Sequence, residues 1–241
     1  MPSYVGVDGC KAGWFAVTLT DDGRASYDVF DTAEALLTQY SDVGQICIDI
    51  PIGLTNDGVK RRVCDEQARN MLTHVRGPSV FTTPARPSLL GSDRKHASQI
   101  NFDLTGRKIP KQTWEIMSKI REVDELMASR QVARETLVEV HPELLFWSLN
   151  DHQPMRYSKR SIDVGIPERI EVLRRWFPAT DEIYEDVLHS YLRKKVARDD
   201  ILDALVAAVA GYVSQGKMIN IPDPPEMDPT GLPMRMAIPR L

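Results

Sequence analysis

The chain has 241 residues, 42% of them apolar and 27% charged, which is enough to bury a sizeable core and excludes pervasive disorder and collagen-like repeats. Its formal charge of −4 is uneven: residues 1–60 hold 3 Lys/Arg against 9 Asp/Glu, the remainder 27 against 25, so an overall basic footprint for nucleic acid is absent while a local one is not. No run of eighteen apolar residues predicts a membrane span, MPSYVGVDG does not read as a secretory signal, and Cys10, Cys47 and Cys64 form no C-x-x-C pair, so a cytoplasmic protein with free thiols is expected.

Alternation in residues 4–8, YVGVD, predicts a strand with Val5 and Val7 on one face and Tyr4, Gly6 and Asp8 on the other. The G-C-K-A-G run predicts a turn into a second strand, residues 14–20. Asp21-Asp22-Gly23 is a hairpin signal leading to a third strand, residues 25–30. Thr32 is the expected N-cap of a helix that shows Ala33, Leu36, Leu37 and Tyr40 on one face. QICIDI is the fourth strand, with Ile46, Ile48 and Ile50 pointing one way and Cys47 and Asp49 the other, and it ends at Pro51. Three hairpin-linked strands and then a crossover imply a mixed sheet in which the first and fourth strands are neighbours.

Residues 59–76 predict a helix, with Val63, Met71, Leu72 and Val75 on its apolar face and Arg61, Arg62, Arg69 and Arg76 largely off it. Residues 77–110, rich in Gly, Pro, Ser and Arg, read as a long irregular excursion. Trp114, Met117, Ile120, Val123 and Met127 mark an amphipathic helix over 111–129. LVEVH, residues 137–141, is a fifth strand; helices follow at about 167–176, 181–194 and 199–214. From Ile221 the chain carries six of its sixteen prolines and is expected to run as an extended strap, ending in a short edge segment at MRMAI. The expected class is α/β: one domain over 1–241 built on a mixed five-stranded sheet flanked by helices. A helical and irregular insertion, about 55–135, separates strands four and five, and a Pro-rich tail covers about 217–241.

Asp8 closes the first strand, Asp49 the fourth, and Asp200 and Asp203 share a face in the first turn of a late apolar helix. Each alone suits a structural role, at a turn or beside a helix dipole. Together they suggest a cation site. Adjacent carboxylates raise each other's pKa unless a cation neutralises them, and an oxygen-only ligand set suits Mg²⁺ or Mn²⁺. Ala204, Ala207 and Ala208 would let that helix pack closely on the sheet.

The element order and these carboxylates resemble the ribonuclease H-like superfamily, and D-I-L-D-A-L resembles the closing helix of RuvC-like resolvases. V-G-V-D-G-C-K-A-G-W, I-D-I-P-I-G-L, R-x-x-C-D-x-x-A-R with S-V-F-x-x-P-x-R, E-V-H-P-E and D-D-I-L-D-A-L are similar to the predicted ribonuclease H-like nucleases of domain-of-unknown-function family 429. The resemblance spans nearly the whole chain. It implies metal ligands at Asp8, Asp49, Asp200 and Asp203, with Asp where RuvC-like enzymes have Glu on the fourth strand. It leaves Glu139 as either an added ligand or a residue behind the ligands. The implied activity is phosphodiester hydrolysis on nucleic acid by two cations about 3.5–4 Å apart, leaving 5′-phosphate and 3′-hydroxyl ends.

Arg69, Arg76 and Arg86 are candidates to clamp substrate phosphate; the alternative is pairing with Asp65, Glu66 or solvent. Lys11 is either a phosphate contact or a surface lysine. His141 and Glu143 are open to metal binding, proton transfer or a local structural role. The tryptophans read as core, and no Cys–His nucleophile pair or zinc spacing is present. Two rival functions share this core. One is a phosphotransferase of the actin-like ATPase and sugar kinase kind, with D-G-C-K-A-G-W as a phosphate loop, though only one copy of the core is visible. The other is a non-enzymatic regulatory module.

Overall fold

The structure, a computed structural model, describes residues 2–56 and 61–241. The chain opens with β1 (Ser3–Cys10), β2 (Gly13–Thr20) and β3 (Ala25–Phe30), antiparallel to one another in that order. Gly13 and Gly23 take the positive φ that the two hairpin turns require, 129° and 79°. At Gly13 a Cβ would meet the Phe30 carbonyl oxygen at 2.1 Å. Next comes α1 (Ala33–Gln39), capped by the Thr32 hydroxyl, which accepts from the Ala35 N–H at 3.1 Å.

β4 (Ile46–Ile48) lies parallel to β1, with Val5 beside Ile46 and Val7 beside Ile48. It is shorter than QICIDI suggests. The chain stays alongside β1 for one more residue, the Asp49 N–H reaching the Val7 carbonyl at 2.9 Å, and Pro51 then removes a donor.

Between β4 and β5 come α2 (Val63–Met71), α3 (Thr73–Arg76), two 3-10 turns (Gly77–Ser79 and Arg86–Leu90), α4 (Arg94–Thr105), α5 (Lys111–Ser129) and α6 (Gln131–Thr136). Two expectations change here. The helix expected over 59–76 is interrupted at Leu72, because Thr73 turns to φ 55°; its first residues, 59 and 60, lie outside the described residues. The excursion expected over 77–110 contains α4. That helix is capped by Asp93, which accepts from the His96 N–H at 2.9 Å, and it is ended by Gly106 at φ 69°. Only Ala97 and Asn101 of α4 are buried, so the apolar period that announces a helix is missing.

β5 (Leu137–Glu139) pairs parallel with β4, and α7 (Pro142–Leu149), α8 (Gly165–Arg174), α9 (Thr180–Ser190) and α10 (Arg198–Val213) follow. The sequence reading passes over α7, which is buried nearly all round and so shows no polar face. The tail expected as a strap is an antiparallel ribbon of β6 (Ile219–Met227) and β7 (Pro233–Ile238), with an irregularity between Ile221 and Glu226.

Among the described residues β1–β5 form one mixed sheet in the order β3-β2-β1-β4-β5. Val5, Val7, Ile46, Ile48 and Leu137 pack with α1 and α5 on one face. Phe15, Val17, Cys47 and Val138 pack with α7–α10 on the other. The helix α10 crosses β1 at Gly6, where a Cβ would lie 2.2 Å from both the Ala204 carbonyl oxygen and the Ala208 nitrogen. Among the described residues no helix is long and apolar enough to cross a membrane. Cys10, Cys47 and Cys64 are buried free thiols.

Candidate functional site

The close approach of α10 to β1 assembles four aspartates. Asp8 stands within β1 on the Gly6 face, and its Oδ1 accepts from the Gly9 N–H at 2.7 Å. Asp49 follows β4 on the neighbouring strand. Asp200 and Asp203 come from the first two turns of α10; the Asp200 Oδ2 reaches back to the Ala197 N–H at 2.8 Å and ties off the helix start. Asp203 is 3% exposed and its Oδ1 has no hydrogen-bond partner among the described residues. A buried, unpaired carboxylate oxygen is expensive.

The charges of the four are mutually felt. Burial first, then the carboxylates of Asp203, Asp49 and Asp200, hold Asp8 well above its ordinary range. Burial and Asp203 push Asp49 up to about 8. Asp200 rises to about 6, mainly by burial. Asp203 is raised by burial against the pull of a cation, Lys159.

Lys159 is the residue that sequence reasoning missed. It lies in the loop between α7 and α8, its ammonium is bonded to Asp203 Oδ2, and its side chain is 31% exposed. Asp203, Asp8 and Asp49 all raise its pKa against the effect of burial. A loop lysine between two helices has no periodicity or motif to mark it; only the fold places it.

Glu139 is also central, but it is engaged elsewhere. Its carboxylate accepts from Arg62 through both guanidinium nitrogens and from the Ile52 N–H at 2.6 Å. Arg62, expected off the apolar face, is 2% exposed and also binds Asp65 and the carbonyls of Ile52 and Gly53. Burial pushes Glu139 up to about 7 although Arg62 opposes it. This buried ion cluster holds the chain that leaves Asp49, behind the aspartates.

The expected phosphate clamps are mostly occupied. Arg86 forks onto Asp124 at 2.9 Å and reaches Asp228 at 2.5 Å, so it fastens the fold. Arg76 binds the Met155 carbonyl at 2.8 Å and lies 3.8 Å from Glu143. Arg69 is held by the Val80 and Phe81 carbonyls at 2.9 and 3.0 Å. Lys11 is exposed in the β1–β2 turn. Glu143 pairs with the fully buried Arg169. His141 is buried, its Nδ1 has no partner, and burial pushes its pKa down to about 4, so the ring is neutral at pH 7.

As the side chains lie, no group of three or more His, Cys, Asp or Glu residues among the described ones converges tightly enough to hold a metal ion. Lys159 supplies the positive charge in the cluster.

No curated protein and no solved structure matches the chain. A family model does match, over residues 6–227, from within β1 through the end of β6. The chain belongs to the family described as protein of unknown function, DUF429.

Proposed function

We propose that this protein is a divalent-metal-dependent nuclease on a ribonuclease H-like core, hydrolysing phosphodiester bonds in nucleic acid. The observation that carries the reading is the meeting of Asp8, Asp49, Asp200 and Asp203 from β1, the end of β4 and α10, with Asp203 Oδ1 buried and unpaired. The sheet order, with an antiparallel β1–β3 hairpin set and parallel β4 and β5, supports the fold assignment.

The chemistry of the donor set suits a hard cation, since the aspartates offer only oxygen and the orphaned oxygen lacks a partner that a cation would provide, and the carboxylates would have to draw together about it from where they now lie. Asp8, Asp49, Asp200 and Asp203 would hold Mg²⁺ or Mn²⁺, which when bound would supply Lewis acidity and lower the pKa of a water so that hydroxide is available to attack phosphorus. The chain's own groups do the rest. Asp200 is oriented by the Ala197 N–H and Asp8 by the Gly9 N–H. Lys159 places a positive charge beside Asp203, where charge developing on a phosphodiester would be stabilised. The neutral His141 ring leaves that charge balance unaltered at pH 7. We further propose a cytoplasmic location, where nucleic acid is at hand and the three thiols stay reduced.

The test is a cleavage panel of labelled single-stranded, duplex, hybrid and branched DNA and RNA in Mg²⁺ and in Mn²⁺, with Asp8→Asn beside the wild type. Metal-dependent cleavage that Asp8→Asn abolishes, while its circular dichroism stays native, is the expected result. Absence of cleavage in every lane, or equal cleavage by both proteins, overturns the reading.

A further inference from the structure

A second polar cavity lies beyond the Arg62–Asp65–Glu139 ion cluster, and its chemistry is opposite to that of the aspartate site. It is walled by Arg61, Arg69, Arg107, Thr82 and Thr105, with Arg62, Asp65 and Thr83 at its inner side. The inner wall is chemically closed. Asp65 Oδ1 is committed to Arg62 and its Oδ2 accepts from the Thr83 hydroxyl at 2.8 Å.

The outer wall is open. Arg61 and Arg107 are exposed, and neither guanidinium forms an ion pair or hydrogen bond among the described residues. Arg69 spends its Nε and Nη2 on the Val80 and Phe81 carbonyls, which fix the plane of its guanidinium. Its Nη1 carries no hydrogen bond among the described residues. Arg61, Arg69 and Arg107 line the same cavity, and the first and last act on Arg69 as repelling charges. Asp65 and the exposed Glu66 are the acids that act on Arg69 in return, and Asp65 is already neutralised by Arg62.

The loop bearing Arg107 is itself held in shape. Its carbonyl accepts from Asn101 Nδ2 at 2.8 Å, and its N–H donates to the Thr105 hydroxyl at 3.0 Å. The Thr105 hydroxyl is spent within this loop, donating to the Arg107 carbonyl at 3.3 Å, so the pocket's free donors are guanidiniums, which repel one another unless an anion joins them. The stoichiometry is that of an oxyanion with several acceptor oxygens, and guanidinium forks match phosphate.

We propose that Arg61, Arg69 and Arg107 form a binding pocket for a phosphate group. It is separate from the aspartate cluster and shares one wall with it. A neighbouring cleft lined by Asp49, His141 and Val80 uses the same Arg62, Asp65 and Thr83 from the other side. A phosphate in this pocket therefore sits one layer of side chains from Asp49. The assignment stands whether or not the aspartates cleave anything. Its source is either a terminal phosphate monoester or an internal backbone diester of a nucleic acid, or a small phosphate compound; the chemistry recognised is the same.

Calorimetric titration in EDTA, at low and at physiological salt, tests this without any metal-dependent reaction. The probes are inorganic phosphate and a short single-stranded oligonucleotide with and without a 5′-phosphate. The proteins are wild type, Arg61→Gln, Arg107→Gln and, as a surface-charge control, Arg240→Gln. The wild type is expected to bind inorganic phosphate saturably. Arg61→Gln and Arg107→Gln should each weaken that binding about tenfold, the worth of a charged hydrogen bond, with Arg240→Gln unchanged. Tighter binding of the 5′-phosphorylated oligonucleotide assigns the pocket to chain ends, and equal binding of both oligonucleotides, lost in the two pocket variants, assigns it to the backbone. Phosphate that fails to bind the wild type, or that binds all four proteins alike, overturns the proposal and leaves the nuclease reading untouched.

Discussion

Arg62 is a charge taken almost wholly out of water, and its surroundings show what that demands. Two carboxylates and two backbone carbonyls receive its guanidinium. The attraction in such a cluster largely offsets desolvation while every partner is present, and the balance fails when one is removed. Arg62→Met would leave Asp65 and Glu139 buried with no counter-charge. Urea unfolding should find it less stable by about 3–5 kcal/mol, whereas Arg160→Met, an exposed change in the Lys159 loop, should move stability by less than about 0.5 kcal/mol. A loss at Arg62 no greater than at Arg160 would show that the cluster is not the fastening described. Glu139 belongs to this fastening, and because its carboxylate is committed to Arg62 and the Ile52 N–H it is not a fifth member of the aspartate group.

At the scale of elements, the contact that makes the site is α10 on β1. Gly6 is the residue that permits it, because any Cβ there would enter the helix backbone. Overpacking of this kind costs about 1–3 kcal/mol and more when backbone is the obstacle. Gly6→Ala should lower the thermal midpoint and displace Asp203 from Asp8. The second effect is readable as a fall in the apparent pKa of Asp8 by NMR titration, since the Asp203 carboxylate is one of the groups that raise it. A Gly6→Ala protein with native stability and an unshifted Asp8 would contradict the packing account. The sequence makes much of this legible. Alternation in YVGVD and QICIDI puts Asp8 and Asp49 on one face, the hairpin signal at Asp21–Gly23 sets the strand order, and the alanines of α10 announce a close contact. It hides α7, buried all round, and α4, scarcely buried at all, since neither carries an amphipathic stripe. It also hides Lys159 and Arg62, whose roles depend on which distant carboxylates the fold brings to them.

The whole molecule is held together by a long-range clasp. Asp228, in the turn of the β6–β7 ribbon, accepts from the Leu54 N–H 174 residues away at 3.0 Å and from Arg86, besides its own Thr230 and Leu232 N–H groups. Burial works against its ionisation, but these donors hold the carboxyl below its ordinary value. The stability that it contributes is therefore complete above the unfolded-state pKa, near 3.9, and is lost as pH falls through the lower folded value. The stability gap between wild type and Asp228→Asn should be constant from pH 7 to about 5 and should narrow as the pH drops below about 4. A gap that stays constant to pH 2 would mean that the charge of Asp228 contributes nothing.

The position of α10 also sets an order of events. β1, β2, β3 and β4 are made first, and Asp200 and Asp203 come about 150 residues after Asp49, a delay of roughly 10–30 s at ordinary rates of synthesis. Throughout that interval the nascent chain holds Asp8 and Asp49 without the helix that packs over Gly6 in the finished fold. The completed cluster is thus a late product of translation, and a chain truncated before α10 carries only Asp8 and Asp49 of it.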